Sequence, residues 1–243
     1  MIVRGIYHTH STYSHDGTFT LFELKKLLID RGCQFAIMTE HAEDLTPESY
    51  RSFYNDCKSL SDASFVFVPG LEVPYEGKVH VGCFPSAESY DVVPLYREGI
   101  VGMREVGATT IYHHPSKQQY YMHDDFRALL DGVEVWNSRY EGNVVPSKRT
   151  TTFVNTFFKN NSILIGGLDL HTKSQWGGPT LVVLVDALTV ENIHTMIKTG
   201  RYVISGRFST FGRKNLKSLH FCAYWVLRTL YDTIKKLRDY LQR

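Results

Sequence analysis

Short apolar runs recur along the chain, and stretches with helical spacing separate them. The runs are Ile2 to Ile6, Phe35 to Met38, Phe65 to Val68, Lys78 to Val81, Thr109 to Tyr112, Gly132 to Trp136, Ile163 to Ile165 and Leu181 to Val185. Runs of this length between polar or turn-forming segments predict buried strands. Between the first two, Thr20-Leu-Phe-Glu23 has the form of a capping box, in which hydroxyl and carboxylate each reach a free backbone amide. Leu21, Leu24, Leu27 and Leu28 continue as an apolar stripe, and Gly32 is placed to end the helix. Thr46 followed by Pro47 predicts a second helix to about Leu60. Further helices are expected at Leu95 to Val106, Asp124 to Leu130, Pro146 to Asn160, and Val190 to Thr199 before Gly200.

Alternating strands and helices imply parallel strands with crossover connections. At 243 residues one α/β barrel is long enough to account for the chain. A doubly wound open sheet is the alternative, but it gathers its site at one crevice. The tail differs. Apolar residues at 216, 219, 223, 226, 230, 234, 237 and 241 step by three and four, describing one stripe of a helix. Lys235, Lys236, Arg238 and Arg243 lie off that stripe. Residues 1–214 are therefore expected to form the barrel and 215–243 an amphipathic helical extension, packed along the barrel or forming a homodimer. Phe221, Tyr224 and Trp225 widen its apolar surface enough for a peripheral membrane contact to be a lesser alternative.

Composition changes this picture little. Hydrophobic residues make up 43% and charged residues 21%, with a formal net charge of +2. Near-neutrality gives no extended cationic track, so long nucleic acid is not expected as a partner. The four cysteines, Cys33, Cys57, Cys83 and Cys222, form no C-x-x-C pair, which fits reduced thiols. No signal-peptide pattern opens the sequence and no apolar run is long enough to span a bilayer, so a cytoplasmic location is expected.

The chemistry lies at the ends of the apolar runs. His8-Thr9-His10, Glu40-His41, Glu72, His80, His113-His114 and Asp169-Leu170-His171 each close or follow one of them. In a barrel the carboxyl ends of the strands meet on one rim, so these residues would share one pocket. Residues two apart on a strand face the same way, which lets His8 and His10 hold one cation; Asp169 and His171 repeat the spacing. Glu72 is placed to bridge two cations. Mixed imidazole and carboxylate ligands suit Zn, Mn or Fe better than calcium.

At these positions the chain resembles the polymerase and histidinol phosphatase (PHP) superfamily of metal-dependent phosphoesterases, in its stand-alone branch. His8-Thr-His10-Ser-Thr-Tyr-Ser14-His-Asp16-Gly is similar to its H-x-H-S-x-x-S-x-D-G opening, and Ala36-Ile-Met-Thr-Glu40-His41 to A-I-T-D-H, with Glu for Asp. Pro69-Gly-Leu-Glu72 with His80 resembles the third motif, Tyr112-His113-His114-Pro115 the A-H-P motif, and Gly167-Leu-Asp169-Leu-His171 the G-S-D-A-H motif. The resemblance implies a distorted (β/α)7 TIM-like barrel with two or three divalent ions. It places His8, His10, Glu72 and Asp169 around the first, Glu72, His80 and His114 around the second, and Asp16, His41 and His171 around the third. It selects His114 over His113 because the family's ligand directly precedes proline. Glu40 would orient an imidazole, and His15 would be a neighbour of the site.

A bridging hydroxide attacking phosphorus in line with the leaving alcohol is the expected mechanism, with Glu72, Asp169 and His171 as catalytic positions. The expected substrate is a small phosphomonoester or nucleotide. Arg139, Asn137 and Arg207 are the candidate substrate-binding residues; Lys148, Arg149 and Arg201 are further basic candidates. Tyr120, Tyr121 and Trp136 can stack on a ring, but buried packing is the expectation for them. A carbamate, amide or ester hydrolase using the same cluster is a second expectation, and a metal-binding scaffold without activity a third.

Overall fold

The structure is a computed structural model that describes residues 1–77, 79–86, 99–158, 161–207, 209–212, 226, 228–230 and 233–234. In chain order the strands are β1 (Ile2–Tyr7), β2 (Phe35–Ile37), β3 (Glu40–His41), β4 (Val66–Val68), β5 (Leu71–Tyr75), β6 (Val79–Phe84), β7 (Thr109–Tyr112), β8 (Gly132–Asn137), β9 (Ile163–Gly167), β10 (Thr180–Leu184), β11 (Tyr202–Ser205) and β12 (Thr210–Phe211). The helices are α1 (Leu21–Asp30), α2 (Pro47–Leu60), α3 (Gly99–Glu105), α4 (Asp124–Ala128), α5 (Ser138–Glu141), α6 (Lys148–Phe157) and α7 (Val190–Lys198).

The strands form two six-stranded sheets, ordered β12-β11-β10-β1-β2-β4 and β3-β5-β6-β7-β8-β9. Backbone hydrogen bonds carry one sheet into the other at two places. Met38 N donates to Val68 O (2.9 Å) and Glu40 N to Gly70 O (3.2 Å) where β2 passes into β3 and β4 into β5. Leu168 N donates to Tyr7 O (3.0 Å) and Leu170 N to His8 O (3.1 Å), tying the ends of β9 and β1.

The strictly parallel arrangement is corrected in two regions. β1, β2 and β4 are parallel, as are β7, β8 and β9, but β6 runs antiparallel to both of its neighbours, β5 and β7. The cause is a tight hairpin. Glu76 (φ 50°) and Gly77 (φ 62°) both take the left-handed conformation that turns a strand straight back. β5 was not legible because Pro74 interrupts its apolar pattern, and proline argues against an interior strand. The second departure is the antiparallel β10-β11-β12 set beside β1.

Helix starts match the capping signals. Thr20 accepts from Glu23 N while the Glu23 carboxylate takes the Thr20 amide, and Gly32 (φ 75°) follows the last turn. Thr46 accepts from Ser49 N, with Pro47 as the first helical residue. α1 buries Leu21, Leu24 and Leu28, and α2 buries Tyr50, Phe53 and Cys57, against strands led by Ile6, Phe35, Ile37, Phe65 and Phe67. Truncating one such leucine to alanine costs about 2–5 kcal/mol. The stretch expected as one helix at 146–160 is shorter, and Ser138–Glu141 precedes it as a separate turn. The expected helical tail falls mostly outside the described residues. Of its stripe, Val226, Leu230 and Ile234 are described, and all three are exposed.

Candidate metal centre

Glu72, the second residue of β5, is almost fully buried and stands among six imidazoles. Its Oε1 lies 2.7 Å from His113 Nδ1, 3.1 Å from His114 Nε2 and 3.3 Å from His8 Nε2. Its Oε2 lies 3.2 Å from both His41 Nδ1 and His80 Nδ1, and 4.0 Å from His10 Nε2. Asp169 Oδ1 closes the far side, 3.5 Å from His8 Nε2 and 3.7 Å from His10 Nε2. Asp16 joins His41 and His171, with 3.3 Å to His41 Nε2 and 3.1 Å to His171 Nε2.

Strand ends bring these side chains together. His8 follows β1, His41 ends β3, Glu72 and His80 lie diagonally across the hairpin, where Glu72 is opposite Gly82 and His80 opposite Pro74, and His113-His114 follow β7. His8 (φ 64°), His114 (φ 29°) and Asp169 (φ 54°) are held in the left-handed region that β-carbon residues avoid. Strain of this kind costs of order 1–3 kcal/mol per residue and concentrates at functional sites.

A second layer of polar groups fixes the rings. Glu134 on β8 takes His8 Nδ1 at 3.0 Å, the His114 backbone amide at 2.7 Å and Asn137 Nδ2 at 2.8 Å. His8 thereby donates from Nδ1 and turns Nε2 toward Glu72 and Asp169, as carboxylate-backed metal ligands do. Glu134 was not singled out from sequence; its place two residues before Trp136 in a buried strand was the available signal. Gly167 makes room for it, since a β-carbon there would meet Glu134 Oε1. His113 has both ring nitrogens engaged, with Tyr7 Oη at 2.6 Å and Glu72 at 2.7 Å. A β-carbon at Gly82 would strike both Tyr7 and His113. Among the described residues Glu40 bonds no imidazole directly. It accepts from Ser11 N, Ser11 Oγ and Ser14 Oγ, and Ser14 Oγ sits 3.4 Å from His10 Nδ1 and accepts from His41 N. Glu40 thus acts on the rings through Ser14.

Electrostatics separate the acids. Burial pushes the Glu72 carboxyl up, but the His8 charge, hydrogen bonds from His113 and His114, and the nearby His41 ring hold it well below the usual range. Asp169 is likewise held low against burial by His8 and His114. Burial lifts the Glu40 carboxyl to about 7 despite the serine donors.

The arrangement fits divalent cations. The buried polar atoms without a hydrogen-bond partner include His8 Nε2, His10 Nε2, His41 Nδ1, His80 Nδ1, His114 Nδ1 and Asp169 Oδ2, all in this cluster. Buried polar atoms are ordinarily paired, so this concentration of donor atoms is the kind that a divalent cation would engage. Among the described residues, four groups have donor atoms within 4.8 Å of one another: His8-Glu72-His113-His114, His10-His41-His171, His8-His10-Asp169 and His15-Asp16-His41. His15 itself is exposed and bonds Asp44 (2.8 Å).

The basic candidates are placed differently. Arg139 Nη1 lies 3.1 Å from His171 Nδ1 and 3.4 Å from Asp169 Oδ1, at the rim of the cluster. Asn137 is buried, donates to Glu134 and caps α5 by accepting from Arg139 N, so its amide is committed within the protein. Arg207 and Arg201 are exposed beside β11, and Arg149 stacks on Tyr120 at 4.6 Å. Trp136 is fully buried and donates to Gly142 O at 2.7 Å.

No family model matches the sequence, and no curated protein is similar to it. Solved structures are. A two-domain protein from Bacteroides vulgatus ATCC 8482, containing a predicted PHP-like metal-dependent phosphoesterase, superposes with a TM-score of 0.60 at 16% identity, over 84% of this chain and 65% of that one. PsfC from Pseudomonas syringae PB-5123 gives 0.62 at 14% identity, over 95% and 97%. This chain has their fold. Endonuclease Q, in complex with a 27-mer duplex bearing an abasic lesion, gives 0.59 at 17% identity, over 82% and 57%. The chain therefore spans about two thirds of the Bacteroides protein, just over half of endonuclease Q and nearly all of PsfC.

Proposed function

We propose that the protein is a metal-dependent phosphoesterase of the PHP superfamily, acting on a small phosphomonoester or nucleotide. The convergence of unpartnered ring nitrogens and Asp169 Oδ2 around Glu72 carries this reading. The fold shared with a protein containing a PHP-like phosphoesterase supports it, and the distorted barrel belongs to the same proposal. His8, His10, Asp16, His41, Glu72, His80, His114, Asp169 and His171 would hold two or three ions of Zn, Mn or Fe. Such ions supply an acidified water and positive charge facing the phosphoryl oxygens.

The chain's own residues do the rest. Glu134 keeps the His8 proton on Nδ1, and Tyr7 with His113 fixes the Glu72 carboxylate. Arg139 offers a fixed cation to the phosphoryl group and neutralises charge developing on its oxygens. Among the described residues no helix is long and apolar enough to cross a membrane, and Cys33, Cys57 and Cys83 are buried free thiols. A cytoplasmic location belongs to the same proposal.

One structural neighbour holds a DNA duplex, so the fold gives no ground for excluding nucleic acid. The test is a panel of p-nitrophenyl phosphate, a bis-phosphodiester, nucleotides, an abasic duplex and a naphthyl carbamate, each with Mn or Zn. Phosphomonoester or nucleotide turnover is expected. Turnover of the carbamate alone would replace the proposal with a carbonyl hydrolase, and a metal-replete protein inert to all would leave a binding scaffold.

A further inference from the structure

The turn after His114 builds a polar chamber beside the centre. Lys117 N and Gln118 N both donate to His114 O (2.9 and 3.4 Å), and Tyr120 N returns to Pro115 O (2.8 Å). Gln119 (φ 52°) and Tyr120 (φ 62°) are consecutive non-glycine residues in the left-handed region, a local strain that this tight turn maintains. Lys117, Gln118, Gln119 and Tyr121 line a cavity of about 420 Å³. Tyr121 Oη bonds Glu76 (2.9 Å) in the hairpin turn between the strands that carry Glu72 and His80.

Tyr140 stands between chamber and centre. Its ring meets His114 edge-on with centroids 5.2 Å apart, while Lys117 Nζ lies 5.3 Å and Arg139 Cζ 5.7 Å from its centroid. Two cations on one aromatic ring leave a positively charged approach to the cluster, held in place by the ring quadrupole. The chamber wall offers amide donors and acceptors, an ammonium and a phenol. Its surface is more polar than apolar, and a hydrogen-bonding wall favours a ligand that can answer it.

We propose that Lys117, Gln118 and Gln119 form a leaving-group subsite, with Tyr140 as its partition from the metal centre. The substrate class is then the phosphate ester of a polyhydroxylated alcohol, a sugar or nucleoside. This rests on the phosphoesterase reading above.

The test compares ribose 5-phosphate with phenyl phosphate for the Mn-loaded full-length protein and for Lys117→Ala and the Gln118→Ala/Gln119→Ala double variant. The wild type should favour ribose 5-phosphate in kcat/KM, and the double variant should cut that preference about 10-fold, through KM. Calorimetry with a phosphonate analogue of ribose 5-phosphate and with phenylphosphonate should show the same loss of discrimination, at unchanged metal content and circular dichroism. An unchanged preference ratio in all variants, or a wild type that favours phenyl phosphate, overturns the subsite and leaves the phosphoesterase standing. Failure to cleave either ester in a metal-replete protein removes the parent reading first.

Discussion

Glu72 and Glu40 are both buried carboxylates near the same strand ends, and their surroundings are opposites. Glu40 faces Ser11 and Ser14, whose hydroxyl and amide donors meet both of its oxygens. Both of its oxygens are satisfied by these donors, and burial dominates its ionisation. Glu72 faces imidazoles that crowd it while one ring nitrogen each of His8, His10, His41, His80 and His114 is left without a hydrogen-bond partner. A satisfied polar network holds a shape; an open one of this density is a donor set that could hold ions.

The sharpest way to break that contrast is to neutralise Glu72. Glu72→Gln should strip bound metal and abolish turnover together, measured by elemental analysis and a phosphomonoester assay. Next in size is Glu134→Gln, which releases the His8 ring from its fixed tautomer. About 10–100-fold weaker metal affinity is expected, read by competition with a chelating dye. On the satisfied side, Ser14→Ala removes the donor to Glu40 and the acceptor for His41 N. It should lower unfolding stability by about 1–3 kcal/mol in a urea titration while metal still binds.

The last contrast comes from an imidazole outside both networks. His194 is buried against Phe84 and bonded to Thr109 Oγ1 at 3.1 Å. Burial, helped by the Lys198 charge, pushes its pKa down to about 4 from 6.5. Because the folded state favours the neutral ring, the unfolded chain takes up the proton first. Stability is fully present above pH 6.5 and falls as the pH drops toward 4. Thermal melts of wild type and His194→Gln should diverge across that window, with the variant the flatter; identical profiles would place the pH dependence elsewhere.

Much of this was legible because local signals agreed. The Thr20 and Thr46 caps, the apolar runs of β1, β7 and β9, and the ligand pairs at their ends each follow from short-range pattern. The hairpin was not, because Pro74 masks β5 and the turn depends on Glu76 adopting a conformation that only its partners in space enforce. His113 and Glu134 were missed as a tautomer-setting layer for the related reason that each is defined by what it touches across the sheet. Ser14 as the link from Glu40 to the rings also needed three dimensions, since Glu40 lies 26 residues along the chain from the serine.

The central claim is that the open network around Glu72 binds several divalent ions. It is tested most directly by the metal content of native, purified protein after reconstitution with Mn or Zn and removal of free ion. More than one equivalent, lost in Glu72→Gln while the fold is retained, is the predicted result. No retained ion in the wild type, or an equal content in both proteins, would contradict it.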